Sequence, residues 1–401
     1  MTTIDTATPT STRPKRSALA WISRYGTLAA FLALIVFNIA ITPNFWSWQT
    51  LNVNLTQVAT IVIVATGMTL VIATGGIDLS VGSLMAISGA LAPMIFLGTI
   101  YPIENPALTI GLAFTVPVIA AGALGWFNGF LITRWSIQPI VATLVLFIAG
   151  RGIAQVMTNG NLQVFRNETF QFIALGRVFG IPAQVIVMAI VVAAAAFVVR
   201  RTGFGRQIIA VGGNEKAARL AGIPAVRVKR LVYVISGALA GIAGLIVVAR
   251  NSASDANLVG LGMELDAIAA VAVGGTLLTG GRANVLGTLL GAFVIQLVQY
   301  TLLANGVPDA AARIVKAGLI IAAVFIQLRA ARGVRRGALQ AGGLHEHPRL
   351  PPCLPRSAGT ALQHRSGAAW RRRRADRAHP VWRAALRRLP VAVQRAFLPA
   401  L

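Results

Sequence analysis

The chain has 401 residues, of which 56% are hydrophobic and 12% are charged, and its mean hydropathy is +0.72. A soluble domain carries about 25% charged residues, so this composition excludes a water-soluble globular protein. The long apolar runs also exclude a coiled coil, a collagen-like chain and a disordered chain, and a single cysteine excludes a disulfide framework. We therefore predict an all-α integral membrane protein.

The apolar runs follow one another along the chain at lengths suited to a bilayer. A transmembrane helix needs about 20 mostly apolar residues to cross a hydrocarbon core of about 30 Å. Residues 1–25 are predicted to be a disordered basic tail, and residues 26–330 a membrane domain of about ten helices. The predicted spans are Gly26–Ile41, Thr56–Thr74, Val81–Leu97, Leu108–Leu131, Ile140–Met157, Ile181–Val199, Leu231–Val248, Leu265–Leu278, Val285–Leu303 and Ile314–Leu328.

The positive charges predict the orientation of these spans, because Lys and Arg are retained on the cytoplasmic side. With ten spans and both termini in the cytoplasm, the loop Arg200–Arg230 is cytoplasmic, and it carries eight basic residues against the single acid Glu215. The predicted outer loops Thr42–Leu55 and Gly98–Ala107 carry no basic residue. Within the spans, glycines at four-residue spacing, such as Gly237 and Gly241, indicate close helix packing.

Asp78 is the most conspicuous acid near a predicted span, in the segment Gly75–Ser83 between the second and third spans. Ser80 and Ser83 are suited to cap the helix that follows, and an aspartate ahead of a helix is favoured by the helix dipole. We expect a structural or gating role for Asp78 and Ser80, with direct substrate contact as the alternative.

Two further polar clusters are candidates for a translocation path or its gate. Asn54 and Gln57 occur where the second span begins on the predicted outer side, and their amides suit a hydroxyl-rich solute, although Asn54 would also serve as a helix N-cap. Glu264 and Asp266 precede the eighth span and resemble acids at a helix start. Arg151, near a span end, is expected to extend to the interface, with a role in the translocation path as the less ordinary alternative.

The membrane domain offers no predicted catalytic or metal site. It contains no histidine and no cysteine, which removes the usual metal ligands and most catalytic triads, and it lacks the phosphate-binding loop of nucleotide hydrolases. We therefore expect no enzyme activity and no bound cofactor, and ATP hydrolysis, if it drives this protein, must come from another subunit.

Within the basic loop, residues 214–224 predict a short helix with Asn214 as its N-cap and Gly222 at its end. Ala217 and Ala218 are expected to form a small-residue face that fits a groove on a partner, and the surrounding arginines would add charge complementarity. The alternative is a positive loop with incidental helicity.

Four segments resemble the ribose/xylose-type permeases of bacterial ABC importers, in the same order along the chain from about residue 27 to residue 325. They are Thr74–Ser83, Gly205–Gly222, Gly262–Ala270 and the glycine pairs Gly274-Gly275 and Gly280-Gly281. The resemblance implies a multi-pass permease of the bacterial inner membrane that dimerises with a second permease chain, binds an ABC ATPase and receives a monosaccharide from a binding protein. It also implies that Asn214, Glu215, Ala217, Ala218, Arg219 and Gly222 belong to the ATPase-coupling motif.

Two other transporter classes remain open. An ion-coupled secondary transporter needs buried acids in the middle of its spans, and a branched-chain amino acid permease shares the broad architecture. A membrane enzyme is a more distant alternative.

The last part of the chain departs from the resemblance. Residues 332–401 contain 15 arginines and two acids, but no Ile, Asn, Tyr, Met or Lys. Such a composition is typical of GC-rich DNA read out of frame, so residues 331–401 are expected to be frameshift-derived or disordered. The alternative is a polybasic arm drawn to anionic lipid or to nucleic acid, although membrane lipid and not nucleic acid is the partner expected for the chain as a whole.

Overall fold

The computed structural model describes the backbone of residues 18–99, 102–318, 321 and 325, with side chains from residue 26 onward. The predicted tail at residues 331–401, and most of the predicted tail at residues 1–25, lie outside the described residues. The helices are α1 (Ala18–Ile41), α2 (Trp48–Ala73), α3 (Val81–Phe96), α4 (Pro106–Arg134), α5 (Pro139–Met157), α6 (Glu168–Leu175), α7 (Ala183–Arg201), α8 (Gly203–Gly213), α9 (Glu215–Leu220), α10 (Ala225–Asn251), α11 (Met263–Val273) and α12 (Val285–Ala304). Residues 309–318 are also helical.

Four two-residue strands pair between the helices. β1 (Gln163–Val164) pairs antiparallel with β4 (Ala253–Ser254), and β2 (Arg177–Val178) pairs antiparallel with β3 (Ile181–Pro182). These short pairings join loops, and the chain is otherwise an all-α membrane protein as predicted.

Within the described residues, six helices are long and apolar enough to cross a membrane, namely α2, α4, α5, α7, α10 and α12. Two shorter apolar stretches, each of fewer than 18 residues, are the part of α1 from Gly26 to Ile41 and the helix α3, Val81–Phe96. Most of the tenth predicted span lies outside the described residues. The predicted count of ten spans therefore stays a prediction.

The eighth predicted span, Leu265–Leu278, is wrong in its extent. α11 ends at Val273 because Gly274 and Gly275 follow, and Gly275 has a φ of +81°. Eleven residues rise about 16 Å, which is about half the hydrocarbon thickness, so α11 alone does not cross a bilayer.

The second predicted span starts too late. α2 begins at Trp48, about two turns before Thr56, and its N-cap is Ser47, whose hydroxyl accepts a hydrogen bond from the Thr50 N–H at 3.1 Å. The interpretation of Asn54 as an N-cap is therefore wrong. Its amide instead donates to the Thr50 carbonyl at 3.0 Å, which satisfies a polar group inside the helix.

The core is centred on α2 and α10. Every residue of α2 from Val58 to Ala73 is buried, and α10 packs against α2, α3 and α4. A Cβ atom on Gly237 would collide with the carbonyl oxygen of Ala121, and one on Gly125 would collide with that of Tyr233. These contacts confirm the predicted role of small residues in close packing between helices.

Candidate functional site

The short helix predicted in the basic loop is α9, and its local geometry is confirmed. The Asn214 side chain accepts a hydrogen bond from the Ala217 N–H at 3.1 Å, so Asn214 is its N-cap. Gly222 follows the helix end with a φ of +80°, the left-handed conformation that glycine adopts without strain. This pair of caps fixes a compact helix of six residues between α8 and α10.

The exposed side of α9 differs from the predicted one. Ala218 is only 5% exposed and belongs to the main hydrophobic core, whereas Ala217 faces outward. Leu220, which is 91% exposed, and Ala221 lie on the same side of the helix as Ala217. The prediction that Ala217 and Ala218 share one docking face is therefore wrong, and the free apolar surface, which we call the α9 face, consists of Ala217, Leu220 and Ala221.

Glu215 attaches α9 to α10. Its carboxylate forms ion pairs with Arg219 at 2.6 Å and with Lys229, in the second turn of α10, at 2.5 Å. Burial raises the pKa of Glu215, but hydrogen bonds and charge from Lys229 and Arg219 outweigh burial, so the pKa lies below its ordinary value of 4.5. Glu215 and Arg219 therefore hold α9 in place. The ion pair with Lys229 was not predicted, although Lys229 belongs to the same basic loop as Glu215.

α8 connects this segment to the end of α2. A Cβ atom on Gly212 would collide with the carbonyl oxygen of Ala73, the last residue of α2. The same carbonyl accepts a hydrogen bond from the Gly281 N–H at 3.0 Å. Three backbone segments therefore meet at the end of α2.

Asp78 lies at this same end of α2, but in the interior. Its Oδ1 accepts hydrogen bonds from the Ser80 hydroxyl at 2.6 Å and the Ser80 N–H at 3.1 Å, and its Oδ2 accepts one from the Ser236 hydroxyl at 2.9 Å. The Asn128 amide donates to Ser80 Oγ at 2.9 Å. The four side chains are buried and join the α2–α3 loop to α4 and α10, so we call them the Asp78 cluster.

The cluster corrects the predicted capping by the two serines. Ser80 occupies the N-cap position of α3, but its side chain makes no capping hydrogen bond because the hydroxyl donates to Asp78. Ser83 donates to the carbonyl oxygens of Ser80 at 2.8 Å and Leu146 at 3.0 Å, the latter on α5. Both hydroxyls therefore join elements of the fold. This geometry favours the structural role of Asp78 over direct contact with a solute.

Glu264 and Asp266 both lie in the first turn of α11, as expected for acids at a helix start. Asp266 also binds Lys316 at 2.7 Å, and Lys316 donates to Gln299 on α12 at 2.9 Å. Glu264 is buried, and its Oε2 has no hydrogen-bond partner among the described residues. Asp266 thus fixes α11 to its neighbours, a role that the sequence did not indicate because Lys316 is 50 residues away.

Arg151 bonds to backbone carbonyls of a loop on another part of the chain. Its Nη1 donates to the carbonyl oxygens of Ala256 at 2.9 Å, Asn257 at 3.1 Å and Val259 at 3.1 Å. The guanidinium therefore attaches the loop that precedes α11 to α5. These partners could not be predicted, because a sequence does not show which backbone carbonyls lie within reach of a side chain.

Asn54 and Gln57 lie far from the α9 end of the molecule. Sixteen residues of α2 separate Gln57 from Ala73, a rise of about 24 Å. Asn54 borders a mostly apolar cavity of about 360 Å³ formed by residues of α1, α2 and α12. Gln57 accepts a hydrogen bond from the Gln296 amide at 2.5 Å. The structure therefore separates the predicted residues into a group near α9 and Asp78 and a group near the first turns of α2.

Comparison with known proteins identifies the family of this fold. Residues 51–324 match the family described as "Branched-chain amino acid transport system / permease component". The ribose import permease protein RbsC of Escherichia coli is 40% identical over 311 residues, which cover 77% of this chain and 94% of that protein.

Other relatives are named for different sugars. The galactofuranose transporter permease protein YtfT of Escherichia coli is 37% identical over 80% of this chain and 93% of its own length. The fructose import permease protein FruF of Bifidobacterium longum is 36% identical over 73% of this chain and 82% of its own length. No solved structure matches the chain. The family match and these identities together establish that the chain belongs to the family of branched-chain amino acid transport system permease components.

Proposed function

We propose that this chain is the membrane-spanning subunit of an ATP-driven importer for a monosaccharide. The observation that carries the proposal is the 40% identity to a ribose import permease over 94% of that protein's length. Relatives named for galactofuranose and fructose support the sugar class without selecting one sugar. The chain is a multi-pass protein of the bacterial inner membrane.

The topology that we propose has ten membrane segments and both termini in the cytoplasm. It places α8, α9 and the start of α10 on the cytoplasmic side, which agrees with the eight basic residues of Arg200–Arg230. α11 covers about half of the membrane thickness, and the residues after Gly275 complete that crossing, since Gly281 contacts the proposed cytoplasmic end of α2. The helix that starts at residue 309 contributes the last segment.

The energy source is a separate ABC ATPase that binds the α9 face. Ala217, Leu220 and Ala221 form an exposed apolar patch on a helix whose two caps and ion pairs fix its position. Exposed apolar side chains surrounded by basic residues suit a groove with an acidic rim. Asn214, Glu215, Arg219 and Gly222 position this surface, and Ala218 anchors it. No cofactor is held by this chain, and ATP with Mg²⁺ is bound by the partner.

Transport proceeds by alternating access between two permease chains. Closure of the ATPase pair displaces α9, and the Glu215–Lys229 ion pair transmits the displacement to α10. The contact of Gly212 with the Ala73 carbonyl transmits it to α2. A substrate-binding protein delivers the sugar on the opposite side, where the outer turns of α2 carry Asn54 and Gln57.

Uptake assays separate this proposal from the alternatives. Proteoliposomes that contain the permease, its ATPase and its sugar-binding protein are expected to accumulate ribose or a related sugar only when ATP is inside. Uptake that persists without the ATPase and collapses with an uncoupler would instead identify an ion-coupled transporter. Accumulation of leucine in place of sugars would assign the chain to the amino acid branch named in the family description.

A further inference from the structure

The exposed side of α2 ends within one helical turn. Val53 and Gln57 are exposed, whereas Thr60 is 2% exposed and Ile61 is 5% exposed, and α2 stays buried from there to Ala73. A lipid-facing side of a spanning helix would stay exposed along its length. The side of α2 that carries Val53 and Gln57 is therefore open only near the start of the helix and is covered from Thr60 onward, and we call this open stretch the α2 recess.

Polar groups converge at the closed end of this recess. The Gln296 amide, on a side chain that is 3% exposed, donates to Gln57 Oε1, and the Thr60 hydroxyl donates to the Gln57 carbonyl at 3.1 Å. Gln296 thus orients the Gln57 carboxamide. The Gln57 NH₂ group has no acceptor among the described residues, so two donors remain available to a molecule in the recess.

Arg250, in the last turn of α10, contacts the backbone of the residue that precedes Gln57. Its Nη1 lies 3.4 Å from the Thr56 carbonyl oxygen, and no carboxylate forms an ion pair with it within the part of the chain that the structure describes. A guanidinium has five N–H donors, and this contact uses one of them. Burial of a cation that has no acidic partner is costly, so such a cation is a candidate to donate hydrogen bonds to a ligand.

We infer that Gln57 and Arg250 form a hydroxyl-binding subsite for the sugar at the closed end of the α2 recess, with Gln296 and Thr56 as positioning residues. The inference rests on the proposed function. The carboxamide and the guanidinium both donate hydrogen bonds, and hydroxyl oxygens of a neutral sugar accept them without a compensating charge. The sugar reaches this subsite after the binding protein has released it. The subsite therefore affects the rate of translocation.

The test pairs side-chain variants with sugars that lack a hydroxyl. Gln57→Leu and Arg250→Lys are assayed in proteoliposomes with the ATPase and a saturating sugar-loaded binding protein, using ribose and 2-deoxyribose as probes. Saturation removes discrimination by the binding protein, so the ratio of maximal rates reports on the permease. Gln155→Leu and Arg313→Lys are the matched controls, because among the described residues the Gln155 side chain bonds only to Asn257 and the Arg313 side chain only to the exposed Asp309.

A wild-type ratio of about five to ten, equivalent to one hydrogen bond, is expected to fall toward one in Gln57→Leu or Arg250→Lys and to stay unchanged in both controls. A merely structural role would lower both rates and leave the ratio unchanged. Equal ratios in the variants and the wild type overturn the inference. If, in addition, native mass spectrometry shows that Arg250→Lys has lost a bound phospholipid, Arg250 is assigned to a lipid headgroup. If the wild-type complex transports no sugar at all, the proposed function fails instead.

Discussion

Asp78 and Glu215 are both acids that the sequence indicates, yet the structure places them in opposite environments. Asp78 is buried with hydrogen bonds to both carboxylate oxygens from its own chain, and these bonds join several helices. Glu215 lies near the surface, where its ion pairs hold a helix whose apolar side remains uncovered. The difference indicates that Asp78, whose partners all lie inside the fold, stabilises the permease. Glu215 instead positions an exposed surface that a partner can bind.

The largest expected effect comes from removing the Asp78 carboxylate. Asp78→Leu leaves the buried donors of Ser80 and Ser236 without an acceptor, so we expect a loss of about 3 kcal/mol or more in the free energy of unfolding. Thermal unfolding of the detergent-purified protein measures it, with Asp309→Ala, at an exposed ion pair, as a control that changes stability little. Unchanged thermal stability together with lost uptake would instead place Asp78 in contact with the solute.

The second effect should appear in binding and leave stability unchanged. Leu220→Asp places a charge in the α9 face, so we expect ATPase affinity to fall by about 2 kcal/mol, or about thirtyfold, while thermal unfolding stays at the wild-type temperature. Co-purification with the ATPase and ATP-dependent uptake are the two measurements. Arg206→Asp, at an exposed position on α8 outside the α9 face, is the matched control. Equal loss in both variants would show a general charge effect.

A smaller effect is expected from weakening the attachment of α9 to α10. Lys229→Gln removes one of the two cations on Glu215 while the Arg219 pair remains, so we expect uptake to fall severalfold with ATPase binding largely retained. The ratio of ATP hydrolysed to sugar transported measures the loss of coupling. A normal ratio would show that displacement of α9 reaches the membrane helices by α8 alone.

Acid should weaken the same attachment. Because the folded pKa of Glu215 lies below 4.5, its ion pairs stabilise α9 fully above that pH and are lost as the pH falls through the lower folded value. A fluorescent label on Lys216→Cys, in a Cys353→Ala background, should become more mobile only as the pH falls below 4.5. The same label in Glu215→Gln should show no such transition, and a transition that persists there would belong to another group.

The smallest effect is expected at Arg219. Its ion pair with Glu215 is an exposed pair four residues apart in a helix, and such pairs contribute about 0.3–0.5 kcal/mol. Arg219→Ala should therefore change uptake by less than about twofold. A larger loss that Arg219→Lys restores would show that the ATPase itself binds this charge.

Local signals predicted local structure well. Asn214 and Gly222 marked the two ends of α9 because capping depends on residues within a few positions of each other. The glycines of α10 indicated close packing because a missing side chain is visible in the sequence. The second span began earlier than its hydropathy indicated, because asparagines inside a helix can bond to the preceding turn.

Long-range partners could not be predicted. Lys316 binds Asp266 across 50 residues, and Arg151 binds carbonyls more than 100 residues away, contacts that depend on how the helices pack. The side of α9 that faces the core was likewise assigned incorrectly, because a run of alanines does not show which residue is covered. At these residues, the contacts of the candidate site could be assigned only from the three-dimensional structure.

The central claim is that a nucleotide-driven partner works this permease through the α9 face. The most direct measurement is sugar accumulation in proteoliposomes that contain the permease and the binding protein, with the ATPase added or omitted and with wild-type or Leu220→Asp permease. The account predicts accumulation against a gradient only for wild-type permease with the ATPase and internal ATP. Accumulation without the ATPase, or equal accumulation by Leu220→Asp, would contradict it.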